Sequence, residues 1–558
     1  MEVFKTISSL AASHPVAFAL WSLMSAFAFQ VLQRGYRHRR FYRNLPGPPH
    51  SALWGHLKVL GEVSATIPQN SHPQAYYTEI ARKYNLKGIF YLDLWPIADS
   101  SVVLTDPMLM EEVTVRNPLP QHTMSEAFLS PIIGPNVIAT VNGPIWKRLH
   151  NAMAPAFSWS HIRTLTAVMV DECALYRAAL AKYAKSGEVF SVEELSARLI
   201  FDVIGRVVFN FRLHAQTADS PYLNDLRELV DLAHNQTDLV ASYNPIARVA
   251  KWWKKRKVLG RLHPLILGKI KDRLNLLLNE GITPSRKDPS SILDLMLREH
   301  ILQSESSSGA KTTKQITLSY TDTQLLLTKR YLYSIKGLLL GGHGTTTDSL
   351  CYIFMLLSHA PTALKKMRQE HDDVFGKDFD GTVKSLLDAP AKLQDLPYTD
   401  AIIKESLRLF PVGFTVREAD AGAKLTVQGR SYPIDKHQGI VLNGHDPHYN
   451  SDFFPNHTEF RPERWLDSEE GVPRSYFRTF GRGPRACLGQ NLAMNELKVI
   501  LLMVVRDFEF ECAGLEPNAK PKTSYTNLDT VFGDIIFQEL GIEARPRGGM
   551  MMTVKRND

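Results

Sequence analysis

The chain has 558 residues, 44% of them hydrophobic and 22% charged, with 65 lysines and arginines against 57 aspartates and glutamates and a formal net charge of +8. This composition excludes a disordered or collagen-like chain and leaves room to bury a large core. The four cysteines, Cys173, Cys351, Cys487 and Cys512, show no Cys-x-x-Cys or Cys/His spacing, which excludes a disulfide framework and a zinc finger and predicts reduced thiols facing a cytosol.

At the N-terminus, Val16 to Leu32 reads VAFALWSLMSAFAFQVL, an uncharged run at the short end of what spans a bilayer. It predicts a transmembrane helix, with a cleaved signal peptide as the alternative. The basic residues of a signal peptide precede its apolar run, whereas Arg34, Arg37, Arg39, Arg40 and Arg43 follow this one. By the positive-inside bias the bulk of the protein then lies on the cytoplasmic side. Leu45-Pro46-Gly47-Pro48-Pro49 cannot continue a helix and predicts a stiff spacer. The predicted division is a membrane anchor over residues 1–33, a basic and proline-rich hinge over 34–50, and one large domain over 51–558.

Within that domain, Trp146-Lys147-Arg148-Leu149-His150 sets an indole one helical turn before a histidine. Lys251-Trp252-Trp253-Lys254-Lys255-Arg256-Lys257 interleaves aromatics with cations, which suits either a membrane-interface contact or an ordinary solvated helix face. No nucleic-acid-binding module accompanies the charge, so nucleic acid is not an expected partner. The sequons at Asn235 and Asn456 are expected to be unmodified, because a cytosolic domain never meets the glycosylation machinery. The Ser/Thr-rich stretch from Gln303 to Lys314 predicts an exposed loop.

A long apolar pattern follows from Gln324 to Ala360 and stops at Pro361, which suits the first turn of the next helix. Its middle carries Gly341-Gly342-His343-Gly344-Thr345-Thr346-Thr347. Each glycine inside a helix costs about 1 kcal/mol relative to alanine, so three need a reason: close helix packing, or a flat ligand needing backbone without side chains. Further on, Glu405 and Arg408 are helix-face neighbours at i,i+3, and Phe460-Arg461-Pro462-Glu463-Arg464-Trp465 follows. In Phe480-Gly481-Arg482-Gly483-Pro484-Arg485-Ala486-Cys487-Leu488-Gly489 a single cysteine sits in a glycine-punctuated loop before a helical pattern. Backbone N–H groups of the turn, the Arg485 guanidinium and the positive end of the next helix all favour a thiolate there. That suits an axial ligand of haem iron, the ligand type whose electron push favours O–O cleavage. The chain closes on a strand-like tail, Met551 to Arg556.

The spacing Phe-x-x-Gly-x-Arg-x-Cys-x-Gly resembles the signature of the cytochrome P-450 haem-thiolate family, and the other motifs fall in that family's order. Overall the wording is similar to fungal microsomal members of specialised metabolism. The resemblance implies a mostly α fold with small β-sheets, a triangular helical prism around haem b. Cys487 is then the axial ligand of the haem iron, with Phe480, Gly481 and Gly489 shaping its loop. Trp146, His150, Arg417 and Arg485 take the positions of haem-propionate partners; His150 stands where arginine is usual, which predicts a weaker or pH-dependent contact. Glu405, Arg408 and Arg464 resemble a buried structural network. Thr345 matches the oxygen-side threonine, but Gly344 replaces the usual Asp or Glu. His343, or water held by Thr345 and Thr346, is the expected substitute, and Asp348, one turn on, a displaced acid; a gain in coupling from Gly344→Asp would mark a defective relay. The implied activity is monooxygenation of a lipophilic small molecule, hydroxylation or epoxidation, such as a polyketide or terpenoid intermediate. Alternatives are fatty-acid or xenobiotic hydroxylation, a non-oxygenating haem-thiolate rearrangement or dehydration, and a haem-based sensor. Electrons are expected from a separate NADPH-dependent flavoprotein reductase docking near Arg482 and Arg485, with the protein held in the endoplasmic reticulum membrane.

Overall fold

Helix-forming apolar residues at positions 192–209 are buried on nearly every side, among them Leu199, Ile200, Phe201, Val203, Ile204 and Val207. A helix that is apolar all round has to lie inside a larger body. Val192–Phe209 accordingly packs along the long central helix Asp322–Ser358, the most extensive helix pairing of the fold. Its ends are set locally: Ser191 accepts from the Glu194 N–H, and Asn210 closes it at φ 62°. The computed structural model describes residues 15–234, 244–286, 289–308, 322–420, 422–427, 429–435, 438–466 and 471–557.

Helices dominate, and the strands among the described residues are short. One sheet is ordered Ile89–Leu92, Ser101–Leu104, Gly439–Leu442, Thr415–Arg417, with the middle pair parallel and both outer pairs antiparallel. Another joins Phe190–Ser191, the tail strand Met551–Arg556 and Phe508–Cys512. Pro361 opens the helix Pro361–Phe375, as the stop of the central pattern predicts. The core runs through the central helix, Val192–Phe209, Thr166–Ser186 and Gln490–Val504. Each fully buried aliphatic or aromatic side chain there stabilises the fold by about 1.5–3 kcal/mol.

Helix Pro397–Leu409 carries a charged network into this core. Glu405 accepts from Arg408 Nε (2.9 Å) and Nη2 (2.8 Å), Arg464 Nε (3.0 Å), the Arg461 N–H (3.0 Å) and Trp465 Nε1 (2.9 Å). Arg408 spends its other donors on the carbonyls of His448, His457 and Glu459. Every strong donor of that fully buried guanidinium is thereby matched, the condition a buried charge must meet.

The expected transmembrane helix is corrected. Among the described residues no helix is long and apolar enough to cross a membrane. The uncharged run would rise about 25 Å against a hydrocarbon core of about 30 Å, and it belongs to a longer helix, Pro15–Tyr42, whose last two turns dock on the domain. Tyr42 is buried, and Arg39 pairs with Asp93, which also accepts from His38 Nε2 and His50 Nε2 at 2.9 Å each. Burial pushes the Asp93 carboxyl up, but His38, Arg39 and His50 outweigh it and hold it well below the usual range. The proline-rich segment also touches the domain, the Tyr91 N–H donating to Pro46 O (2.8 Å).

A second correction concerns the Ser/Thr-rich stretch. Helix Ile292–Ser308 runs into it, because Gln, Glu and Ser at its end can extend a leucine-rich helix, and residues 309–314 lie outside the described residues. Asn235 also lies outside them. Trp252 and Trp253 are exposed on helix Pro245–Glu280, with Arg256 over the Trp252 ring at 5.4 Å.

Candidate functional site

The cysteine loop is shaped by two glycines with positive φ, Gly481 (64°) and Gly483 (80°). A Cβ on Gly483 would overlap the Thr114 carbonyl oxygen and stand 2.7 Å from its carbon, so only glycine lets the loop press on that backbone. The Cys487 N–H donates to Phe480 O at 2.8 Å, and Gly489 caps the helix Gln490–Val504 that follows. Gly483→Ala is expected to cost about 2–4 kcal/mol. Gly514→Ala, at φ 65° with open space around it, should lose only about 1 kcal/mol; chemical denaturation of the two variants checks the difference.

The Cys487 side chain is open on one side although it lies deep in the fold. Burial raises its thiol above the ordinary value, and the Gly489 and Gln490 N–H groups only partly offset this. The expected help from Arg485 is absent. Its guanidinium is engaged elsewhere, donating to Val141 O and to Asn142 Oδ1 (2.7 Å) and covering the Trp146 ring at 4.9 Å.

Beside the loop, basic groups converge. Trp146 and His150 lie ring against ring at 5.0 Å, with Arg485 on the same indole. Arg417 donates through Nη1 to Gln121 Oε1 (2.7 Å), while its buried Nε has no partner. Burial first, then repulsion from Arg485 and Arg478, lowers Arg417 to about 10. His122 joins this group, and no motif in the sequence points to it. Its Nδ1 accepts from the Met124 N–H (3.0 Å), which places the ring proton on Nε2, and Nε2 is buried without a partner. Only the fold brings it near: residues 120–122 pair with 416–418, the His122 N–H donating to Val416 O (3.1 Å) and the Glu418 N–H to Pro120 O (3.0 Å), which sets the histidine one position along from the residue opposite Arg417. Arg482 differs from its expected role as a surface charge, because it pairs with Glu111 at 2.9 Å.

The central helix carries the glycine and threonine stretch. Gly341 is exposed in mid-helix, with nothing within 4 Å of the point a Cβ would occupy, and Thr345 Oγ1 donates to its carbonyl at 2.9 Å. Gly342 has a different reason: a Cβ there would stand 2.7 Å from Ile204 Cδ1, so it permits the close approach of Val192–Phe209. Thr346 is buried. His343 does not share the open face. Two residues along a helix turn a side chain by about 200°, and the His343 ring packs edge-on to Phe201 at 5.6 Å. Burial, with Arg227 second, lowers its pKa to about 3, so it stays neutral.

An accessible thiol, an open mid-helix glycine and unpartnered donors at Arg417 and His122 fit a flat, iron-containing macrocycle bearing carboxylates. The comparisons agree. The sequence profile of the family described as Cytochrome P450 matches residues 45–531. Cytochrome P450 monooxygenase acrF of Aspergillus aculeatus is 29% identical over 88% of this chain and 99% of that protein. Cytochrome P450 monooxygenase polC of Polytolypa hystricis is 29% identical over 92% and 91%, and ptmG of Penicillium ochrochloron 26% over 93% and 91%. The solved heme domain of cytochrome P450DA shares the fold, with a TM-score of 0.69 at 19% identity over 92% of this chain and 97% of that one. A family match across most of the chain, with relatives aligned nearly end to end, makes this protein a member of the cytochrome P450 family and a monooxygenase.

Proposed function

We propose that the protein inserts one oxygen atom of O2 into a lipophilic intermediate of fungal secondary metabolism, such as a polyketide or terpenoid, by hydroxylation or epoxidation. The observation that carries this reading is the open Cys487 thiol in its glycine-shaped loop, together with the unpartnered buried donors Arg417 Nε and His122 Nε2. Haem b, when bound, supplies the dioxygen activation. Cys487 ligates its iron, and Arg417, Arg485, His122, Trp146 and His150 hold its propionates. Gly341 would leave room for the flat ring, and Thr345 would hold water beside it. Glu405, Arg408 and Arg464 keep the surrounding fold in place.

Electrons come from a separate NADPH-dependent flavoprotein reductase. Since Arg482 and Arg485 are engaged internally, the exposed Lys147 and Arg148 of helix Gly143–Met153 offer it positive charge. Residues 51–558 form the catalytic domain. The N-terminal helix attaches it to the endoplasmic reticulum membrane through exposed apolar side chains, including Leu20, Trp21, Leu23, Met24, Phe27 and Phe29. NADPH consumption that requires both reductase and a lipophilic substrate, with product gaining one oxygen from 18O2, is the expected result; product formed without NADPH contradicts it and favours a rearrangement or dehydration.

A further inference from the structure

The acid missing at position 344 is replaced from elsewhere in the chain. A Cβ on Gly344 would overlap Oε1 of Glu543 and stand 2.6 Å from its Cδ and 3.3 Å from Oε2. The glycine is therefore a notch, and a carboxylate fills it. Glu543 belongs to the turn between the paired strands Glu539–Leu540 and Ala544–Arg545, which packs on the central helix. Backbone bonds fix that turn: the Gly541 N–H to Glu543 O (3.0 Å), the Ala544 N–H to Val412 O (2.9 Å) and the Leu540 N–H to Asn70 O (2.8 Å).

The charges facing this carboxyl come from three elements. Asp348 follows Gly344 by one turn of the central helix, Glu193 comes from Val192–Phe209, and Arg545 from the hairpin itself, with Arg227 acting on Asp348. Asp348 Oδ2 is buried with no hydrogen-bond partner. Three carboxyls against two guanidiniums in a poorly solvated space cannot all ionise.

We propose that Glu543 takes the part of the absent helix acid: seated in the notch at Gly344, its carboxyl holds the proton used on the oxygen side beside Thr345, and Asp348 replenishes it. The proton passes from a Glu543 carboxyl oxygen to the water at Thr345, the Asp348 proton takes its place, and a hydronium ion from bulk solvent reprotonates Asp348 and leaves as water, so both carboxyls end as they began. Burial, with Glu193 adding to it against the Glu543 N–H and Arg545, raises Glu543 to about 7, and burial and Glu543 raise Asp348 well above the carboxylate range. Raised carboxyls hold protons that the unfolded chain gives up, so their stabilising contribution is full below the ordinary carboxylate pKa and is lost as pH rises through about 7.

The need for a proton rests on the monooxygenase reading; the contact between residues 344 and 543 does not. The test uses the full chain as wild type, Gly344→Asp, Glu543→Ala, their combination, and the near-isosteric Glu543→Gln. Thermal unfolding should show Gly344→Asp destabilised by overlap and by an added acid, with recovery when Glu543→Ala is combined with it. Infrared spectra should show protonated-carboxyl C=O absorption in wild type at neutral pH that is reduced in Glu543→Gln to the part Asp348 contributes. With hydrogen peroxide as oxidant and a small phenol as reporter, Glu543→Gln should slow oxidation by about 10²-fold or more, and Gly344→Asp/Glu543→Ala should return to within about tenfold of wild type. Unchanged oxidation in Glu543→Gln, or a combination no faster than Glu543→Ala, overturns the proton role even if the thermal recovery is seen. No thermal recovery overturns the contact. A wild type with no turnover from either peroxide or NADPH overturns the enzyme reading and the proton role together, while the thermal series still reports the contact.

Discussion

Replacing Glu405 with alanine is expected to cost about 3–5 kcal/mol, a third or more of the stability of an ordinary domain. The carboxylate is fully buried and receives five donors, and its removal strands Arg408 and Arg464 as uncompensated charges. Glu405→Gln keeps the shape but not the charge and should fall between wild type and alanine. Burial pushes the Glu405 carboxyl up, but Arg408 and Arg464 outweigh it and hold it below the ordinary value. The contribution is therefore present above the ordinary carboxylate pKa and lost as pH falls through the folded one. Urea denaturation measures all of this, and a loss below about 1 kcal/mol for the alanine variant would show the network to be only as strong as a surface ion pair.

The parts of the fold that could be read in advance are those whose cause is local. The central helix follows from its apolar period and the stop at Pro361, and the loop before Cys487 from glycines that only a tight, left-handed backbone requires. For Gly341, Gly342 and Gly344 in the central helix, spacing alone could not separate the roles. One faces open space, one meets Ile204 and one meets Glu543, and only the third dimension brings residues 344 and 543 together. Asp substituted at Gly344 alone is consequently a probe of steric overlap before it is a probe of proton delivery.

Charges were the least legible. Arg39 counted among the basic flank of the apolar run and is paired with Asp93, while Arg482 and Arg485 looked like docking charges and are turned to Glu111 and Val141. A guanidinium's partner is chosen by tertiary geometry that one-dimensional spacing does not contain. His343 is different, since the helical period already sets it about 200° from Gly341 and Thr345.

Cys487→Ala should abolish oxidation, because no other described cysteine opens toward this site: Cys173 and Cys351 are buried, and Cys512 lies on the Phe508–Cys512 strand beside Ser358. Alanine offers no ligand, and the electron push that a thiolate gives toward O–O cleavage goes with it. Cys487→Ser keeps the size of the side chain and should fail in the same way, which separates loss of the sulfur from loss of packing. The most direct measurement is the absorption spectrum of the dithionite-reduced protein under carbon monoxide, for wild type and Cys487→Ala. A strongly red-shifted Soret band in wild type that disappears in the variant is the predicted result; a wild type without haem, or a band unchanged by the substitution, contradicts it.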